Sequence, residues 1–255
     1  MVQLDKDLTT ALVKEIHQTF KTDINEILLT ALVQTIHEFT NEKTVVIGME
    51  GHGREDLFDH IDLSNTVGWF TTIYPIGFEI EPKTSPNNLI RNVKETIRAI
   101  PDKGIGYSLL KYLHPEAEVR NKLKDVKWDI VFNYLGQLDN VVNNSKQFGI
   151  AAESKGNPIH ENFPLLNKLD INSAISQNQF QMTWSYADSD FDTNTIEQLA
   201  NAYIHNLKNL ISFCKDEHNS MVTPSDFGLG KDVSVKELDE LFGLDEIQDD
   251  GVLSF

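Results

Sequence analysis

The chain has 255 residues and a formal net charge of −17, with 40% hydrophobic and 24% charged residues. This length can bury a substantial core, as one large domain or two small ones, and no apolar run is long enough to cross a bilayer. The negative charge argues against nucleic acid as a partner, because phosphates are bound by basic side chains. The N-terminus lacks a basic-then-apolar leader pattern, so we expect a cytoplasmic location and no membrane partner.

The first part of the chain is predicted to form two helices and two strands. The first helix carries apolar residues at helical spacing, namely Leu8, Leu12, Ile16 and Phe20. Asp23 and Glu26 form a capping-box pattern that opens the second helix. The runs from Thr44 to Met49 and from Val67 to Ile76 have the β-branched and aromatic composition of strands.

The middle of the chain continues with a helix and three strands. Residues 85–100 read as a helix that begins at a Ser-Pro pair and ends before the next proline. Alternating apolar and polar residues over 128–134 predict a strand. Segments 169–176 and 179–186 are predicted to pair around a short polar turn.

Two further helices are predicted near the C-terminus. Asn194 and Glu197 are expected to cap a long helix whose apolar stripe ends at Cys214. This position favours buried packing over a nucleophile, and a single cysteine excludes an intrachain disulfide. Ser234 and Glu237 open a last short helix. The mixture indicates an α/β fold, with a sheet backed by helices on at least one side.

The C-terminal end is strongly acidic. Residues 226–255 carry a local charge of −7. Such a segment is either a solvated end or a docking element for a basic partner.

The run Glu50-Gly51-His52-Gly53-Arg54-Glu55 presents a carboxylate where a buried strand ends, between glycines that allow close approach of a ligand. That arrangement suits an acid or base presented to a substrate. The alternative is a tight turn in which Arg54 and Glu55 form a solvated ion pair.

A second candidate motif ends the strand near residue 134. Asn133 and Tyr134 offer an amide and a phenol that can hydrogen-bond a carbonyl, although strand-end packing is the alternative. The glycine-rich run 102–107 lacks the GxxxxGK phosphate pattern. The eight histidines are dispersed, and neither HExxH nor GxSxG occurs, so the sequence favours neither a metal site nor a serine hydrolase.

Taken in order, the motifs resemble those of epimerization domains from non-ribosomal peptide synthetases. The matching segments are Asp23–Leu29, Glu50–Glu55, Asn65–Phe70 with Tyr74-Pro75, Pro101–Tyr107, Phe132–Gln137 and Thr223–Phe227. Asn65 and Ser108 depart slightly from the usual family residues, Arg and Gly.

The resemblance implies a fold, a chloramphenicol-acetyltransferase-like lobe with a mixed, mostly antiparallel sheet flanked by helices. Residues 1–227 would be the C-terminal lobe of a two-lobed domain, and 228–255 an acidic tail with a short helix and a candidate docking role. The family's HHxxxD signature belongs to the N-terminal lobe, and the chain has no His-His pair.

The resemblance also implies a reaction, the removal and return of the α-proton of an aminoacyl or peptidyl thioester carried on phosphopantetheine. Glu50, Asn133 and Tyr134 match catalytic positions, and a second group matches substrate-binding positions: His52, Gly53, Trp69 and Phe70. No metal and no cofactor of the chain's own is expected, since the pantetheine belongs to the partner.

The expected partners are a carrier domain with its thioester-bound amino acid, the missing N-terminal lobe and a downstream synthetase. Without the N-terminal lobe, little or no turnover is expected. Two other functions remain open at this point, a condensation-type lobe that forms peptide bonds and a non-catalytic docking module.

Overall fold

The computed structural model describes residues 1–138, 156, 160, 163, 166–216 and 222–243. The strands are β1 (Val2–Gln3), β2 (Thr44–Gly51), β3 (Thr72–Glu79), β4 (Ile130–Gln137), β5 (Leu169–Ser176) and β6 (Gln179–Tyr186). They form one sheet in the order β1-β6-β5-β4-β2-β3. The pairs β1–β6, β2–β3 and β5–β6 are antiparallel, while β4 runs parallel to both β2 and β5. This confirms the expected mixed, mostly antiparallel sheet.

The helices of the described residues are α1 (Lys6–Thr10), α2 (His17–Phe20), α3 (Ile24–Thr40), α4 (Pro86–Arg98), α5 (Gly106–Ser108), α6 (Ala117–Lys124), α7 (Thr193–Lys215) and α8 (Val235–Phe242). Two π-helical turns (Ala11–Glu15, Leu109–Leu113) and three 3₁₀ turns (Pro101–Gly104, Pro224–Phe227, Gly230–Asp232) complete them. None of these helices is long and apolar enough to span a membrane.

One face of the sheet carries the main core, and we call it the helical face. α3 packs against α7 and β2, α7 also contacts β1 and β6, and α4 packs against α3 and β3. The central position of α3 explains why Ile27–Ile36 are buried on every side of that helix. Alternate strand residues point into this core, among them Ile47, Phe132, Ile171 and Met182.

We call the opposite face of the sheet the second face. The segment that connects α4 to β4 crosses to it. This connection begins on the helical face, where Gly104 packs against the ring of Tyr74. It ends on the second face, where the indole of Trp128 covers Gly48. The connection therefore passes around β3, the edge strand of the sheet.

Several local predictions are confirmed. Asp23 and Ser234 open α3 and α8 through complete capping boxes, and Ser85 caps α4. Strands β5 and β6 pair around the turn at Gln177 and Asn178, whose φ angles are both positive. Cys214 is fully buried.

Several boundary predictions are wrong. The strand expected over 128–134 runs instead from Ile130 to Gln137, so Asn133 lies within it and not at its end. The strand expected from Val67 begins only at Thr72, where pairing with β2 starts, and the preceding residues form a loop in which Val67 is 100% and Trp69 90% exposed. Aromatic composition does not make a strand where no neighbouring strand is available. α7 begins at Thr193 and is capped by Asp192, not by the expected Asn194. The Asp192 carboxylate accepts a hydrogen bond from the Thr195 amide at 2.9 Å.

The C-terminal segment packs on the lobe as far as α8. Leu238 is 2% exposed, and Asp239 forms an ion pair with Arg91 of α4. Residues 244–255, which hold part of the predicted acidic tail, lie outside the described residues.

Candidate active site

Glu50 and Asn133 meet on the second face of the sheet. β2 and β4 are parallel neighbours with Met49 opposite Phe132, which places the next residue of each strand side by side. The Asn133 amide Nδ2 donates to Glu50 Oε2 at 2.7 Å. The bond satisfies one carboxylate oxygen, and Glu50 remains half-buried.

The pKa of Glu50 is raised above its ordinary value, first by burial and second by the negative charge of Asp170 on β5. Both effects disfavour the ionised carboxylate. Glu50 therefore holds a proton at a higher pH than an exposed glutamate does.

An aromatic wall lies beside Glu50, two residues back along the same face of β2. A Cβ at Gly48 would lie 2.1 Å from Trp128 Nε1, so only glycine leaves room for the indole. Tyr107 contacts Trp128 edge-to-face at 6.1 Å, and Lys111 Nζ lies 5.6 Å and 5.7 Å from the two rings. The Tyr107 hydroxyl and the Trp128 indole nitrogen are buried without a hydrogen-bond partner.

Arg54 organises the loop that follows β2. Its guanidinium donates to the carbonyls of Leu63 at 2.6 Å and Gly68 at 3.3 Å, and it lies 4.3 Å from the centre of the Phe70 ring. Gly53 is required here, since its φ is +64° and a Cβ would meet the Phe70 carbonyl oxygen at 1.7 Å. Of the residues expected to bind substrate, Gly53 and Phe70 therefore shape the loop.

The alternative of an Arg54–Glu55 ion pair is wrong, because each side chain has other partners. Glu55 lies 3.1 Å from His52 Nε2 and 3.0 Å from Lys103 Nζ. His52, expected to bind substrate, is exposed and accepts from the Arg54 amide through Nδ1. The contact with Lys103 joins this motif to the glycine-rich turn Pro101–Gly104.

Tyr134 lies on the other side of the sheet from Asn133, because successive strand residues point to opposite faces. It packs against the main core, and burial raises the pKa of its hydroxyl to about 12. The structure brings together Glu50 and Asn133 but does not bring Tyr134 to them on the second face. The indole of Trp69, the remaining expected substrate contact, projects into solvent.

Two polar residues of β5 were missed by sequence reasoning. Asn172 lies opposite Asn133 in the register of β4 and β5, and its amide donates to Asp170 at 2.8 Å. Both are polar positions in an alternating strand, a signal that also fits plain solvent exposure. Within the described ranges, no group of three or more His, Cys, Asp or Glu side chains could hold a metal ion.

Comparison with known proteins shows the family to which this chain belongs. A family model described as Condensation domain matches residues 1–229. The chain is 37% identical over 240 residues to bacitracin synthase 2 of Bacillus licheniformis, covering 94% of the chain and 9% of that protein. It is 35% identical over 255 residues to gramicidin S synthase 1 of Brevibacillus brevis, covering 95% and 23% respectively.

Solved structures give the same result. The epimerization domain from the third module of tyrocidine synthetase B superposes with a TM-score of 0.77 at 30% identity, covering 85% of this chain and 48% of that one. A cyclization-docking bidomain from Sorangium cellulosum shares the fold, with a TM-score of 0.60 at 14% identity, covering 82% and 41%. The expected chloramphenicol-acetyltransferase-like lobe is thus confirmed, and the chain spans under half the length of these relatives. It belongs to the condensation-domain family of non-ribosomal peptide synthetases.

Proposed function

We propose that this lobe takes part in epimerizing an aminoacyl or peptidyl thioester held on a carrier domain. The observation that carries the proposal is the half-buried Glu50 carboxyl, fixed by Asn133 on the second face of the sheet. The 30% identity to an epimerization domain supports the same reaction class.

The chemistry needs one group that removes the α-proton and another that returns a proton from the opposite side of Cα. In the return step, the O–H bond of Glu50 breaks, a C–H bond forms at the enolate carbon, and Glu50 is left as a carboxylate. The amide of Asn133 stabilises that carboxylate by its hydrogen bond. A positioned acid or base of this kind contributes roughly 10²–10⁴-fold to the rate.

The other group is assigned to a histidine imidazole of the N-terminal lobe, in keeping with the family resemblance. The isolated chain is therefore expected to turn over slowly or not at all, because it supplies one proton-transfer group and one wall of the site. The phosphopantetheine arm belongs to the carrier domain, and no cofactor of the chain's own enters the scheme. The catalytic assignment of Tyr134 rests on its motif position, and because its side chain lies on the other side of the sheet from Glu50 we give it no step in this scheme.

The test uses the domain completed by its N-terminal lobe, a carrier domain loaded with an L-aminoacyl thioester, and D₂O as solvent. Glu50→Gln keeps the shape and an acceptor for Asn133 but removes the proton-transfer group. We expect D-product and deuterium at Cα with the parent domain and at least a 10²-fold loss in the variant. Glu79→Gln, at the exposed end of β3, is the matched control. Parent-like activity of Glu50→Gln would remove the assignment.

A condensation-type role is the second candidate, and the family model that matches residues 1–229 favours it. The same completed domain, given a donor thioester and an acceptor thioester on separate carriers, would then form a dipeptide. Dipeptide without D-product would replace the epimerase proposal, and D-product without dipeptide would support it.

A docking role is proposed separately for the acidic end of the chain, toward a downstream synthetase. Because Leu238 and Asp239 pack on the lobe, a deletion that tests docking should begin after Gly243. Loss of partner binding with unchanged urea unfolding would support docking, and unchanged binding would oppose it.

A further inference from the structure

Two carboxylate–amide pairs lie next to each other on the second face of the sheet. Asn133 donates to Glu50 at 2.7 Å, and Asn172 donates to Asp170 at 2.8 Å. Asn133 and Asn172 are direct partners in the parallel pair β4–β5. We call these four half-buried residues, which cross β2, β4 and β5, the polar row.

The polar row places a second acidic group near the proposed acid. Asp170 and Asn172 are two residues apart on β5 and so share a face. The hydrogen bond from Asn172 fixes the Asp170 carboxylate on that face. Asn172 is itself the register partner of Asn133, the residue that binds Glu50. Among the described residues, no cation forms an ion pair with Asp170.

The charged side chains of the loop after β2 and of the aromatic wall have partners of their own. On the loop after β2, Glu55 contacts both His52 and Lys103, and Arg54 is bound to loop carbonyls. Lys111 lies against the aromatic wall. Of the charges on described residues, that of Asp170 contributes to the raised pKa of Glu50, after burial.

We propose that Asp170, held in place by Asn172, is a positioning residue that keeps the proton on Glu50 and so makes Glu50 the acid of the site. Two carboxyl groups on the same half-buried face of a sheet disfavour simultaneous ionisation, because their charges repel. Asn133 then orients the carboxyl, while the charge of Asp170 adds to the effect of burial in keeping that carboxyl protonated. The catalytic meaning of this coupling rests on the proposed function, but the coupling itself does not.

The first experiment titrates Glu50 in the chain as it stands, without any substrate. Glutamate is labelled with ¹³C at the side-chain carboxyl, and the Glu50 signal is assigned by its disappearance in Glu50→Gln. We expect the Glu50 midpoint to move to lower pH in Asp170→Asn, because the repelling charge is gone. Asp129→Asn is the control, since Asp129 is exposed and paired with Lys168.

An unmoved midpoint in Asp170→Asn, or an equal shift in Asp129→Asn, would overturn the proposal. Asn172→Ala provides a second variant that keeps the charge but releases its position, and it should give a smaller shift in the same direction. If Asp170→Asn fails to fold, an unmoved midpoint in Asn172→Ala overturns the proposal.

The second experiment measures epimerization against pH in the completed domain. Activity that needs protonated Glu50 is lost as pH rises through its pKa, so the alkaline limb should move to lower pH in Asp170→Asn. A titration shift in a domain that makes no D-product would leave the coupling intact and reject the proposed function. D-product with an unmoved alkaline limb would reject the coupling alone.

Discussion

Lys94 of α4 and Asp226 of the closing segment form a buried ion pair at 2.7 Å, with side chains 1% and 2% exposed. Lys94 also donates to the Phe20 carbonyl at 2.6 Å, and Arg98 connects Asp226 to Glu26 of α3. Although 132 residues separate Lys94 from Asp226, one charged network fixes the chain end to the two helices.

Removing Asp226 should strongly destabilise the lobe. Asp226→Asn leaves the Lys94 ammonium buried without its counter-charge, and breaking a buried pair in this way costs about 3–5 kcal/mol. Urea unfolding at pH 7 should show the loss. Asp129→Asn, which breaks an exposed pair with Lys168, should cost no more than about 1 kcal/mol. Similar losses in the two variants would contradict the network's role.

The cost of Asp226→Asn should also depend on pH. Burial opposes ionisation of Asp226, but hydrogen bonds and charge from Lys94 and Arg98, with the Thr223 amide, keep its pKa below the ordinary value. A depressed acid pKa contributes stability that is present above the unfolded-state pKa and is lost as pH falls through the folded-state pKa. The difference between parent and variant should therefore shrink in acid, and a constant difference would be evidence against this account.

Glu50→Gln should stabilise the isolated chain at neutral and alkaline pH. The raised pKa of Glu50 means that the folded state binds its proton more tightly than the unfolded state does. That contribution is full below the unfolded-state pKa and is lost as pH rises through the folded-state pKa. Glutamine never ionises, so the free energy of unfolding of the variant should exceed that of the parent at pH 8 but not at pH 4. Urea midpoints at both pH values measure this, and an equal gain at both would point to a cause other than ionisation.

Gly53→Ala should disturb the loop between β2 and β3. The new Cβ meets the Phe70 carbonyl at 1.7 Å, whereas at Gly228, whose φ is +70°, it meets nothing within 4 Å. Gly228→Ala therefore carries only the left-handed backbone cost of about 1–2 kcal/mol, and Gly53→Ala should exceed it. Thermal unfolding of the two variants provides the comparison. A smaller loss of stability in Gly53→Ala than in Gly228→Ala would mean that the Phe70 carbonyl moves away from the new Cβ at little cost.

Trp69→Ala tests the expected substrate contact. Because the indole is exposed, unfolding of the isolated chain should change by less than about 0.5 kcal/mol. In the completed domain, a substrate-binding role predicts a higher KM for the carrier-bound thioester. Trp184→Ala, which empties a buried site, should instead cost about 3–5 kcal/mol in stability. An unchanged KM for Trp69→Ala would remove this residue from the site.

Local sequence patterns predicted much of the secondary structure. The capping boxes at Asp23 and Ser234 depend on residues three apart, and the β5–β6 hairpin depends on a short turn, so neighbours in sequence carry the information. The start of β3 and the cap of α7 were misplaced. A strand begins where a partner strand lies alongside, and Asp192 and Asn194 are equally good caps by residue type.

By itself, the sequence determined that Glu50 lies near the end of a buried strand between glycines and that Asn133 lies in another strand, because alternation and turn residues act over a few positions. Only the tertiary structure decided that Asn133 faces Glu50 across 83 residues, that Tyr134 turns toward the core, and that Asp170 and Asn172 lie on the same face as Glu50. Strand order and register bring these side chains together or separate them. Both are fixed by packing of the whole sheet against α3, α4 and α7.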